Sequence, residues 1–198
     1  MAKIDKDLVQ RLRDITGLGL MDCKKALEDT DGDIEKSIDL LRKKGAAVAT
    51  KRSDKITAQG LIHAYIHPGS QIGVLIEINC ETDFVARTDD MVKLAQDLCL
   101  HIAAMKPLYL SVENVDQAFL ERERDIIKEQ IAGSGKPEKI VEQIIDGKIN
   151  KVYSDICLLN QQFVKDDQLT ITDLLNHVMA KTGESVKIKR FVRFEIGS

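Results

Sequence analysis

Apolar positions change their period along this chain, and each change marks a boundary between predicted elements. Ile4, Leu8, Leu12 and Ile15 recur at helical spacing and predict a first helix with one apolar stripe. Thr16-Gly17-Leu18-Gly19 breaks it, because glycine reaches backbone conformations that end a helix. A short second helix is predicted from Leu20 to Glu28. Thr30-Asp31-Gly32-Asp33 then offers turn and N-cap chemistry to a third helix, striped by Ile34, Ile38 and Leu41, with Gly45 as its expected stop. So small a bundle buries little and is expected to be marginal alone. Residues 46–57 are Ala-rich, then basic, and show no period, which predicts a linker. The expected division is a helical module over residues 1–50 and a core over residues 51–198.

The period then drops to two. Leu61, His63, Tyr65 and His67 alternate with Ile62, Ala64 and Ile66, Pro68-Gly69-Ser70 turns the chain, and Ile72, Val74, Ile76 and Ile78 alternate again. That pattern predicts an antiparallel hairpin with one strongly apolar face. Helical spacing returns from Asp89 to Met105 and again around Val115 to Ala132. Gly133-Ser134-Gly135-Lys136-Pro137 reads as a loop before another helix, with Gly147 expected to break or kink it. Thr170-Ile171-Thr172-Asp173 resembles a capping box for a last helix, and Val186 to Phe194 alternates as a third strand. The predicted fold class is α+β, a helical module followed by a core with a small antiparallel sheet packed by helices. Three strands leave open edges, which invite a second copy of the chain.

Composition removes several function classes. Net charge is -3, from 29 basic and 32 acidic residues, so no global field draws nucleic acid or membrane. Aromatics make up 4% and Trp is absent, a poor supply of stacking surfaces for single-stranded nucleic acid. No apolar run approaches a membrane span, and the acidic start, Asp5 and Asp7, is unlike a transit peptide, which together predict a bacterial cytoplasmic protein. The widely spaced Cys23, Cys80, Cys99 and Cys157 predict free thiols in a reducing compartment. Gly17 and Gly19 lack the companions of a phosphate-binding loop. His63 and His67, with Cys80 or His101, lack the third ligand or orienting partner that a metal or nucleophile site needs. Neither catalytic residue, metal nor cofactor is expected.

What remains is Thr82-Asp83-Phe84-Val85-Ala86, at a junction between strand and helix where function concentrates. Spacing leaves two readings open. The plainer one tucks Phe84 and Val85 into the core, with Asp83 capping a turn. The other makes a charged residue beside a large apolar one into an interface anchor.

Two long segments carry a resemblance. Thr16-Gly17-Leu18-Gly19-Leu20-Met21-Asp22-Cys23-Lys24-Lys25-Ala26-Leu27 and Ile76-Glu77-Ile78-Asn79-Cys80-Glu81-Thr82-Asp83-Phe84-Val85-Ala86-Arg87 are similar to the signatures of the elongation factor Ts family, the guanine-nucleotide exchange factors of elongation factor Tu. The stretch from Ser134-Gly135-Lys136-Pro137 to Gln162-Phe163-Val164 resembles the family's later helical region. The chain resembles the short members. The resemblance implies that the three-helix module is ubiquitin-associated-like and docks on the GTPase through Leu20 and Met21, with Lys24 nearby. It implies that Thr82, Asp83, Phe84 and Val85 dislodge Mg2+ beside the partner's nucleotide, with His67, Phe163 and Val164 as further contacts. A short form implies a homodimer. Leu20 and Gln162 stand where the family often has Met and Pro, so the loop before Phe163 is a point of difference. Two other readings stand beside this one: an adaptor that holds ubiquitin-like or ribosomal partners, and an RNA-contacting factor using Arg42 to Lys55 with Lys187, Lys189, Arg190 and Arg193.

Overall fold

Asp5 opens α1 (Lys6–Thr16): its backbone is extended and its carboxylate accepts the Asp7 N–H, satisfying one donor that a helix start leaves free. Gly17 ends α1 at φ 64°, donating its N–H to Arg13 O at 2.6 Å. The computed structural model describes residues 4–132 and 137–197, so the loop expected over Gly133–Lys136 lies outside the described residues. Within them are eight α-helices and five β-strands, the predicted α+β class.

Chain contacts divide the fold into two compact units. The first holds the chain up to His63, Ile76–Asp97 and Asp173–Lys189. Its helices are α1, α2 (Leu20–Asp29) and α3 (Ile34–Arg52), followed by α4 (Asp83–Ala86), the first half of α5 (Asp89–Met105) and most of α8 (Ile171–Thr182). Val9, Leu12, Leu18, Cys23, Ala26, Leu27 and Leu41 form the buried centre of the three-helix module, with Ala180 of α8 packed against it. Ile15, expected on the buried stripe, is exposed instead.

Gly45 was expected to stop α3, yet the helix runs on to Arg52. A Cβ at Gly45 would meet Asn176 O at 3.2 Å and the Ala180 side chain at 3.5 Å, so this glycine lets α3 approach α8 closely. Ala46, Ala47 and Ala49 are strong helix formers and carry the helix past it. Residues 46–52 are therefore helix and not linker. Gly147, expected as a break, also lies inside a continuous helix, α7 (Glu138–Ile156). One glycine costs a helix interior only about 0.5–1 kcal/mol.

Strands β1 (Gln59–Ile66) and β2 (Ile72–Cys80) form the predicted hairpin. At its tip, His67 N–H donates to Ile72 O at 2.9 Å, and Ser70 adopts φ 57°. β5 (Val186–Glu195) joins on the far side of β2, so the sheet order is β1-β2-β5. Val74, Ile76, Ile78 and Cys80 are buried on one face of β2, as the alternation predicts. Ile62 and Ile66 point the other way and are exposed.

The second unit holds Ala64–Leu75, Leu98–Thr172 and Arg190 onward. It includes the end of α5 (Asp89–Met105), α6 (Gln117–Ile131), α7, and a two-stranded sheet that the sequence pattern missed, β3 (Gln162–Phe163) with β4 (Asp166–Thr170). Ile127, Ile131, Ile145 and Ile149 hold α6 and α7 together. Arg193 caps Ala103 O at the end of α5, and with Lys106 it holds the Glu195 carboxyl down to about 2. None of the four cysteines is in a disulfide and all are buried, and burial pushes the Cys99 thiol up to about 12. No helix among the described residues is long and apolar enough to cross a membrane.

The two misread glycines should separate in thermal melts. Gly45→Leu is expected to destabilise by about 1–3 kcal/mol through overpacking against α8. Gly147→Ala, whose Cβ meets nothing within 4 Å, is expected to stabilise by up to about 1 kcal/mol.

Candidate partner-binding site

β2 ends at Cys80, and the chain turns through Glu81 and Thr82 into the single turn of α4. Thr82 is extended (φ -123°) and caps that turn, its Oγ1 accepting the Val85 N–H at 3.4 Å. Ala86 is the residue of α4 that faces inward. Phe84 lies two residues earlier, about 200° around the helix axis, so burying Ala86 turns the Phe84 ring outward. It is 80% exposed. That outcome overturns the plainer reading for Phe84, which is not tucked into the core, while Val85 is half-buried. Nor does Asp83 cap the turn, since Thr82 does. Asp83 instead pairs with Arg87 at 2.7 Å across one helical turn, a surface pair worth little to stability.

The corner is held from behind by carboxylates. Glu184, in the turn between α8 and β5, accepts the Thr82 N–H at 3.0 Å and the Thr82 hydroxyl at 2.6 Å. Glu81 answers in the opposite direction, accepting the Ser185 N–H at 2.7 Å and the Arg52 guanidinium at 2.8 and 2.9 Å. The Ser185 N–H and then Arg52 hold the Glu81 carboxyl below the usual carboxylate range. Glu184 was not singled out from the sequence, and Arg52 was read only as part of the basic stretch from Arg42 to Lys55. Glu184 lies 102 positions beyond Thr82, and no local signal connects them.

The second predicted group sits on the first turns of α2. That helix buries Cys23, Ala26 and Leu27, which places Met21 nearly opposite the core, 72% exposed, and leaves Leu20 53% exposed. Lys24 pairs with Glu28 at 3.7 Å. The weaker candidates belong to the second unit. His67 is exposed at the hairpin tip, its Nδ1 3.0 Å from the Tyr65 hydroxyl. Phe163 is buried, with its ring centre 6.2 Å from that of His101, and Val164 carries the exposed apolar surface there.

His101 also organises this second segment, a role the sequence did not reveal. Its ring is buried, its Nδ1 accepts the Val164 N–H at 3.2 Å, and its Nε2 lies 2.9 Å from Gln161 Oε1. Because Nδ1 accepts, the proton sits on Nε2 and is donated to Gln161. The Gln161 amide in turn donates to Asp155 O at 2.7 Å, which fixes its orientation. Gln162, the point of difference before Phe163, lies in β3 opposite Thr170.

Fold and corner together define an α+β protein that holds a bare aromatic ring in solvent on a one-turn helix. The chain belongs to the elongation factor Ts family: the family profile described as Elongation factor TS matches residues 7–198. An elongation factor Ts of Herpetosiphon aurantiacus is 51% identical over 195 residues, covering 98% of each chain. One of Desulfosudis oleivorans is 50% identical over 197 residues, covering 100% of each. One of Thermoanaerobacter sp. is 50% identical over 194 residues, 98% of this chain and 95% of that one.

Burial holds the His101 imidazole below its ordinary value, opposed by the Gln161 hydrogen bond. The folded ring therefore refuses a proton that the unfolded one accepts near pH 6.5, so stability is full above that pH and is lost as pH falls below it toward the lower midpoint of the folded ring. Imidazole NMR is expected to show a neutral Nε2–H tautomer at pH 6.5 and a midpoint below it.

Proposed function

We propose that this chain is a guanine-nucleotide exchange factor for elongation factor Tu, acting in translation elongation as its family name indicates. The observation that carries the reading is the exposed Asp83–Phe84 corner on a chain of this family. An exchange factor needs no catalytic group of its own. It binds the nucleotide-free GTPase more tightly than the loaded one, and linkage then weakens nucleotide by the same factor.

Phe84 acts as an apolar wedge between helices of the partner. Burying a phenylalanine ring contributes about 1.5–3 kcal/mol, available only where the partner opens to receive it. Asp83 leaves its weak surface pair with Arg87 and disturbs the magnesium shell. Losing the cation removes the charge that holds the β-phosphate. The module of residues 1–50 docks on the GTPase domain through Leu20, Met21 and Lys24. Val164 and His67 supply contacts from the second unit.

A second copy of the chain covers the outer face of the sheet. Within the second unit that face exposes Ile66, Leu75, Val192 and Phe194, large apolar side chains of the kind found at homodimer interfaces. The protein works in the bacterial cytoplasm as this dimer.

Stimulated release of labelled GDP tests the wedge. Phe84→Ala is expected to slow release by roughly thirtyfold, as for an anchor worth about 2 kcal/mol, with the melting temperature unchanged. If Phe84→Ala and Asp83→Ala both release GDP at the wild-type rate, the wedge reading fails. Sedimentation tests the dimer: the wild type is expected at twice the chain mass of 22.2 kDa, and Phe194→Glu at the single-chain mass.

A further inference from the structure

We propose that Glu184 is a positioning residue for nucleotide exchange, latching the corner so that Phe84 is presented before any partner arrives; this rests on the wedge reading above. A four-residue helix cannot hold itself in water, because fixing one turn costs more than its few hydrogen bonds return. α4 is four residues long and buries only Ala86, so its geometry has to come from neighbours.

Glu184 supplies it through one residue. Both oxygens of its carboxylate are spent on Thr82, one on the backbone N–H and one on the hydroxyl. The hydroxyl has a single proton, so donating it to Glu184 Oε1 turns the oxygen's lone pairs toward the Val85 N–H that it caps. Hydrogen bonds in such a chain strengthen one another. The carboxylate thus sets the residue before α4 and, through its hydroxyl, the first turn that carries Phe84.

The turn that holds Glu184 is itself built to stay. Gly183 closes α8 at φ 73°, its N–H bonded to Met179 O at 2.9 Å, and the Glu184 N–H is bonded to Thr182 Oγ1 at 3.4 Å. The adjacent pair, Ser185 N–H on Glu81, closes the latch from the other side, and Arg52 ties it to the end of α3. Two neighbouring residues on each side therefore exchange a carboxylate and a donor. Residues 81–82 and 184–185 cannot slide past one another without breaking both halves.

Glu184→Gln keeps the size of the side chain but replaces one acceptor with a donor that faces Thr82. The test measures stimulated GDP release at saturating protein for the wild type, Glu184→Gln, Phe84→Ala and the double variant, with hydrogen exchange on each free protein. Glu184→Gln is expected to lower the saturating rate about fivefold, the factor one net hydrogen bond is worth. It should lower the rate no further in the Phe84→Ala background, because it acts through that ring. Amide protection should fall at Thr82 and Val85 and persist elsewhere. Three results overturn the proposal: a wild-type rate for Glu184→Gln, an independent multiplicative loss in the double variant, or protection lost throughout the chain. The first of these with a slow Phe84→Ala sinks the latch and leaves the wedge standing. A wild-type rate for Phe84→Ala sinks the wedge, and the latch with it.

Discussion

A phenylalanine ring presented from a one-turn helix depends on neighbours to keep its aim, since so short a helix does not hold its own geometry in water. In this chain the constraint is a pair of crossed carboxylate hydrogen bonds, Glu184 on Thr82 and Glu81 on Ser185. They join the end of β2 to the turn between α8 and β5. α4 is too short to be stable by itself, and its inward residue, Ala86, offers little apolar area. Removing the latch would leave the outward aim of Phe84 to a single threonine cap.

The helical module depends on the same region. α3 reaches Arg52 only because it runs past Gly45, and Arg52 is the residue that pairs with Glu81. Gly45 in turn allows α3 to lie against Asn176 and Ala180 of α8, the helix whose end leads to Glu184. Close helix packing, a charged helix end and a strand-to-helix corner thus form one connected set within the first unit. The exposed Leu20 and Met21 belong to the module that this set anchors. In the second unit, buried His101 does the comparable task for Val164 by accepting its N–H.

Much of the fold was legible because it follows from local periods. The alternation over Ile72–Ile78 gave the buried face of β2, and the spacing from Asp89 to Met105 matched the bounds of α5. Gly45 and Gly147 were misread because a glycine signals a stop only when nothing else favours the helix. Helix-forming alanines follow Gly45, and the Cβ-free surface that makes a glycine useful there is a tertiary property. β3 and β4 were missed because Gln162–Phe163 is two residues long and shows no period. At the site, spacing left the Thr82–Val85 motif divided between core and interface. Family resemblance favoured the interface, and the 200° separation of Phe84 from Ala86 explains the exposure physically. Glu184 was out of reach of any local pattern, since its partner is 102 positions away.

On the proposed reading, the corner performs no chemistry and changes only another protein's equilibrium. That claim is tested most directly by comparing the affinity of this protein for nucleotide-free and GDP-loaded elongation factor Tu. The account predicts tighter binding to the nucleotide-free form, by the same factor by which the protein lowers the GTPase's affinity for GDP. Equal affinity for the two forms would contradict it.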